Sequence, residues 1–229
     1  MTAVVAGELA GHPQASAFAE VVESVHHRYA LEVVAGFRLC PFLGDPTPKR
    51  SGQTARGPKD PSAAFGSFCV VLDREPVVET ACRLVVEATS QVVHLVYPLV
   101  HLDCSSFERF GGELHKAVAL AHPERPVHAT FHPDMEGDRS SASRIIGLLR
   151  RSPDPFVQFV PEGLHIGGTT YLDPSRIELS LLALGRDENE PSLFERLTDD
   201  DYDRIRRTQD AIKEERARRY QPFLEALSA

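Results

Sequence analysis

No stretch of about 18 consecutive apolar residues occurs in the chain, which leaves no candidate for a membrane-spanning helix. Met1 to Gln14 carries neither a basic n-region nor a long apolar h-region, so no secretory leader is expected and a cytoplasmic location is the default. Basic charge is not in surplus either. A formal net charge of -8 and a pI near 5.7 exclude the basic face that nucleic-acid binding requires. The four cysteines, Cys40, Cys69, Cys82 and Cys104, lack CxxC spacing, and a chain of this size has no need of disulfide staples, so reduced thiols are expected. GxSxG, HExxH and the kinase motif set are missing. Gly167-Gly168-Thr169-Thr170 stands in no Walker or dinucleotide pattern. These absences remove the common hydrolase and phosphotransfer signatures and leave cofactor, metal and oligomeric state unspecified.

What is present suits one well-packed domain: 229 residues, of which 42% are hydrophobic. Residues 1–15 read as a flexible N-terminus, 16–185 as a single α/β domain, and 190–229 as a C-terminal helical extension. Phe18, Val21, Val22, Val25, Tyr29, Val33 and Val34 recur at spacings of three and four, which predicts an amphipathic helix from Ala17 to Phe37. The segment 43–66 mixes prolines and glycines with Lys49, Arg50, Arg56 and Lys59, and reads as a long basic loop. Such a loop is either a solvated insertion or a cover for an anionic ligand.

Beyond the loop the period changes. Ser67 to Leu72, Val92 to Val100, Val127 onward and Phe156 to Val160 are apolar or alternating runs of strand length. Helical spacing separates them, within Asp73–Ser90, Phe107–Ala121 and Ala142–Arg150, and Pro174–Leu184 follows as a further helix. Asp103 or Ser105 can cap the second of these helices. Strands alternating with helices predict a layered α/β domain with a four- to five-stranded sheet. Helical crossovers favour parallel strands, and a mixed sheet has the same order of elements. The tail from Ser192 is charged, with a thin apolar stripe that suits a long helix lying across the domain or a partner.

Three motifs follow one another: Leu39-Cys40-Pro41-Phe42, Thr130-Phe131-His132-Pro133 and Arg151-Ser152-Pro153-Asp154-Pro155. In this order they resemble the bacterial family of uncharacterised proteins termed domain of unknown function 1415, whose members carry Asn-Leu-Cys-Pro-Phe, Phe-His-Pro and Arg-Ser-Pro-Tyr-Pro. The likeness extends over roughly Val25 to Leu184. It implies a shared scaffold and brings no activity with it. Here Arg38 stands for the family's Asn, Asp134-Met135 for aromatic positions, and Asp154 for Tyr.

If the strands are parallel, Asp73, His101 with Asp103, His132 with Asp134, and Glu162 gather at their carboxyl edge, where open α/β sheets bind ligands. A histidine two residues from a carboxylate can serve as an oriented general base or begin a metal site. The plain alternative for His132 is a strand-end histidine bonded to backbone, and its place in a family motif favours the site. Cys40 is either a buried small hydrophobe or a nearby thiol nucleophile. Arg150, Arg151 and Ser152 either cap a helix end or clamp an anion. His26-His27 and His128 have no partner in sequence and read as ordinary packed or exposed residues. The combined expectation is an enzyme acting on a small anionic molecule, with His132, Asp134 and Cys40 catalytic and Arg150, Arg151 and Ser152 binding. The alternative is a non-catalytic module that binds a ligand or protein and uses the C-terminal helix to dock, which would require an exposed apolar patch around Phe223 and Leu227.

Overall fold

Alternation in the strands divides the molecule into two packed faces, and this division places everything that follows. In a computed structural model of the chain we describe residues 3–37, 66–90, 92–123, 127–160 and 197–228. Five strands form one mixed sheet: β1 (Val4–Ala6), β2 (Ser67–Val71), β3 (Val93–Val96), β4 (Val127–Phe131) and β5 (Phe156–Val160), in the order β1-β2-β3-β5-β4. β1, β2 and β3 are mutually parallel, while β5 runs against both β3 and β4. Strands β1 to β4 therefore point one way, and their carboxyl ends share an edge with the start of β5, where Phe156 pairs with Val96 on one side and Phe131 on the other.

Phe68, Val70, Leu72, Val96 and Phe156 face α1 (Ala15–Tyr29) and α5 (Asp199–Ser228). The intervening residues Cys69, Val71, Val93, Leu95, Tyr97, Val157 and Phe159 face α2 (Val78–Glu87) and α3 (Cys104–Ala121). The period-two alternation of a strand makes this sorting automatic. The short helix α4 (Ala142–Leu149) sends Leu148 to the α1 side. At Gly111 a Cβ would come within 2.8 Å of Thr130 Oγ1, so the glycine lets α3 lie close on β4. Asp103 caps α3 by accepting from the Ser106 N–H at 2.8 Å.

Several expectations need correction. Residues 1–15 are not simply a flexible lead: Val4–Ala6 form the edge strand β1, three residues too short to show a period. The first helix does not run unbroken to Phe37. After Tyr29 it widens into a π-helical segment, Ala30–Ala35, with the Gly36 N–H donating to Leu31 O at 2.9 Å. The mixed sheet, in contrast, is one of the two arrangements expected, with β5 antiparallel to both of its neighbours.

The tail helix lies across its own domain. Ile205, Ile212, Tyr220 and Leu227 are buried in the α1-side core, and Phe18 meets Tyr220 edge-on with ring centroids 5.0 Å apart. No helix among the described residues is long and apolar enough to cross a membrane. Cys69, Cys82 and Cys104 are free thiols, whereas Cys40 and the basic loop 43–65 lie outside the described residues.

Candidate functional site

Where the carboxyl edge meets α5 the surface sinks into a cleft of about 290 Å³. Tyr29 contributes from the end of α1, Pro133 and Asp134 from the turn after β4, and Arg151, Ser152 and Pro153 from the segment leading into β5. The opposite wall is α5, with Gln209, Asp210, Ile212 and Lys213. Residues 209, 210, 212 and 213 fall on one face at helical spacing. The π-helical segment begins immediately after Tyr29, and such segments are common beside functional sites.

Arg151 is rigidly placed. Its Nε and Nη2 both donate to Met135 O at 3.2 Å, and Nη1 makes no hydrogen bond among the described residues. Lys213 has no ion-pair partner among them either, so two cations border the cleft alongside the exposed carboxylates of Asp134 and Asp210. Ser152 is buried and donates its hydroxyl to Asp154 O at 2.6 Å. The Gln209 amide donates to Leu148 O at 2.7 Å and to Arg151 O at 3.2 Å, while its Oε1 is buried with no partner among the described residues. Flipping that amide would set an oxygen against two carbonyls, so the orientation is fixed.

Behind the cleft lies a fully buried carboxylate, Asp154. Its Oδ1 accepts from Arg216 Nε at 2.6 Å. Its Oδ2 accepts from Tyr220 Oη at 2.7 Å and lies 3.0 Å from His26 Nε2. A carboxylate only accepts, so that histidine nitrogen carries the proton. Arg216 also donates to Pro98 O at 3.2 Å. Burial alone would raise the Asp154 carboxyl. The His26 hydrogen bond, the Arg216 charge and the Tyr220 hydroxyl outweigh it and hold the group below the usual carboxylate range. In return, burial and the adjacent carboxylate push Tyr220 well above the ordinary tyrosine range. Nothing in sequence joins these four residues: His26 is 128 positions from Asp154, and Arg216 and Tyr220 are 62 and 66 positions away.

The expected residues separate into two groups. Asp134, Arg151 and Ser152 do converge on the cleft. His132 is buried, and its ring turns toward α3, with centroids 6.0 Å from Phe107. Its Nδ1 accepts from the Asp134 N–H at 3.1 Å and its Nε2 bonds Leu102 O at 3.0 Å. Both nitrogens are thus taken by backbone, and the Asp134 partner is an amide rather than a carboxylate. This is a strand-end structural histidine, and the general-base and metal-ligand roles expected of it have no free nitrogen to use. Arg150 lies over the Phe131 ring at 5.9 Å and is not part of the cleft lining.

The remaining candidates at the edge are held in other ways. Asp103 is spent on its cap and on Ser105 and Ser106, whose hydrogen bonds draw its carboxyl down to about 2, and His101 is exposed. Asp73 Oδ1 accepts from the Glu8 N–H at 2.6 Å and borders a second, more open depression of about 580 Å³. Glu162 lies outside the described residues, and because β5 runs backward the edge receives the segment before that strand instead of the one after it. Burial pushes the Cys69 thiol up to about 12, and burial with the Glu108 charge pushes Cys104 up to about 11, so neither is an activated nucleophile. Among the described residues no group of three or more His, Cys, Asp or Glu side chains could hold a metal ion.

Comparison with protein-family models, with curated proteins and with solved structures returns no match for this chain.

Proposed function

We propose that the chain binds a small anionic molecule in the cleft between the carboxyl edge of its sheet and α5, with Arg151 and Lys213 supplying the attraction. The observation that carries this reading is the state of Arg151. Its guanidinium is oriented by two bonds to one carbonyl, and one amino group remains for a ligand, with Lys213 on the same cleft. An arginine pre-positioned in this way loses little further entropy on binding a carboxylate or phosphate. The resemblance of the three motifs to domain of unknown function 1415 belongs to the same proposal, since Arg151-Ser152-Pro153 of its third motif lines the cleft.

The reading is one of binding and assigns no reaction. If a proton moves in this cleft, Asp134, at a motif end, and Asp210 of α5 are the exposed carboxylates there, and His132 is not on the cleft. The alternative of α5 as a docking element finds less support, because Leu227 is buried and Phe223 stacks on Phe18 with centroids 5.3 Å apart. The stripe that would have met a partner packs on α1.

Isothermal titration with inorganic phosphate, citrate and succinate tests the proposal at low ionic strength, where screening is weak. Saturable binding that falls at least about tenfold in Arg151→Ala and in Lys213→Ala is expected, each corresponding to one charge-assisted contact. Absence of binding by wild type to all three probes would overturn it.

A further inference from the structure

Asp154 sits between the two halves of the cleft without touching its space. On one side it belongs to the five-residue segment that carries Arg151 and Ser152, and Ser152 is tied to it through its own carbonyl. On the other it receives Arg216 and Tyr220 of α5, which lie one and two turns beyond Lys213 on the same helix. The Gln209 amide makes a second attachment, to the carbonyls of Leu148 and Arg151. The helix therefore meets the cleft segment at two polar points, and the residues facing the ligand space lie between them.

We infer that Asp154 is a positioning residue for the cleft: by clasping α5 through Arg216 and Tyr220 it makes ligand binding and seating of the helix a single coupled equilibrium. The inference rests on the reading of the cleft as an anion site. Only the seated helix brings Lys213 and Gln209 opposite Arg151, so an anion held there binds the seated state alone and must stabilise it. Linkage is reciprocal, and whatever unseats α5 weakens the anion by the fraction of seated molecules lost.

Two features keep the seated state from being overwhelmingly favoured. Gln209 Oε1 gives up its water when the helix seats and gains no partner among the described residues. The outer face of α5 is charged and keeps local pairs when the helix lifts, such as Arg204 with Asp201 at 2.9 Å, although Ile205, Ile212, Tyr220 and Leu227 and the Arg28–Glu215 pair with α1 favour the seat.

Hydrogen exchange on the full chain, read by mass spectrometry with and without inorganic phosphate, separates the possibilities. Asp154→Asn is expected to speed exchange of amides 205–220 by about tenfold or more and that of 107–118 by a clearly smaller factor. It should also weaken phosphate by a factor no larger than the loss of seating. Added phosphate should slow exchange of 205–220 in wild type, and Arg151→Ala should abolish that slowing without speeding the helix in the absence of phosphate. If Asp154→Asn fails to fold, Tyr220→Phe gives the same pattern in milder form. Equal acceleration of 205–220 and 107–118 would overturn the inference, since Asp154 would then be a general stabiliser. So would phosphate that binds in the calorimeter yet leaves 205–220 unprotected. Phosphate, citrate and succinate that all fail to bind would instead sink the anion-site reading, and selective unseating by Asp154→Asn would still identify the clasp.

Discussion

The two faces of the sheet use the same strands to opposite ends. Toward α2 and α3 the core is mostly apolar, with Thr130 and His132 its buried polar side chains, and the aromatic cluster of Tyr97, Phe107 and Phe110 closes with centroid separations of 5.5 to 5.7 Å. Toward α1 and α5 the core also buries His26, Asp154 and Gln209. A buried charge costs free energy unless it is paired, and a paired one is rarely better than an apolar replacement of the same volume. What the polar face gains is direction. Hydrogen bonds fix where α5 sits along the sheet edge, which grease on its own would leave freer, and the cleft with Arg151 and Lys213 opens on that face.

The largest expected effects fall equally on both faces and differ in where they are felt. Phe107→Ala on the dry face and Asp154→Asn on the polar face should each lower unfolding free energy by about 3–5 kcal/mol in urea melts. Fluorescence from a tryptophan introduced at Tyr202, near the start of α5, should report an earlier transition than far-UV circular dichroism for Asp154→Asn and a coincident one for Phe107→Ala. Coincidence in both would erase the contrast between the faces.

Acid should act on them in sequence. Burial, with help from His115 and Arg150, lowers His128 on the α3 side to about 4. A histidine whose folded value lies below its unfolded one near 6.5 contributes nothing above that pH and destabilises as pH falls toward 4. At about 1.4 kcal/mol per unit this amounts to roughly 3 kcal/mol by pH 4. The Asp154 carboxyl is held low, so its contribution is fully present above the unfolded carboxylate value of about 3.9 and is lost only as pH falls through its depressed folded value. Urea midpoints for His128→Gln should decline less than those of wild type between pH 6.5 and 4, whereas the gap between wild type and Asp154→Asn should hold steady over that window and close below it.

A milder effect is expected of Tyr220→Phe, which removes one hydrogen bond to the carboxylate and leaves the His26 and Arg216 contacts in place. It should cost about 1.5–3 kcal/mol by urea melt. The smallest belongs to Asp138. This aspartate also pairs with an arginine, Arg144, at 2.7 Å, yet it does so in solvent. Asp138→Asn should leave the urea midpoint where it was. A large loss there would mean that pairing, and not burial, decides what an aspartate is worth in this protein.

Much of the layering was legible in the residues. The apolar runs at Ser67, Val92, Val127 and Phe156 became strands, and stripes such as Phe107, Phe110, Leu114 and Val118 became the buried faces of helices. Direction was not legible, because a strand's residue pattern is the same read up or down, and the reversal of β5 changed which segment reaches the carboxyl edge. The π-helical widening after Tyr29 left no trace in the spacing of Val33 and Val34. Half of the candidate site was readable: Asp134, Arg151 and Ser152 stood in motifs near strand ends. The wall from α5 was not, since Gln209 and Lys213 look like any polar residues of a solvated helix. Asp154 showed itself only as an oddity inside a motif, and His26 only as one of a pair, because their partners are supplied by tertiary packing across more than 60 positions of chain.

The reversed strand also sets an order of assembly. Among the described residues β4 has a single neighbour in the sheet, β5, and β3 is separated from β4 by that same strand. During synthesis β4 must wait unpaired until residues 156–160 leave the ribosome, with the outer edge of β3 bare beside it. Closing the sheet is thus a long-range event made late, and α5 can find its seat only after the segment carrying Asp154 has been drawn taut by it. A chain halted before Phe156 would present the bare edge of β3 and an unpaired β4 at once, the condition under which nascent chains pair with one another.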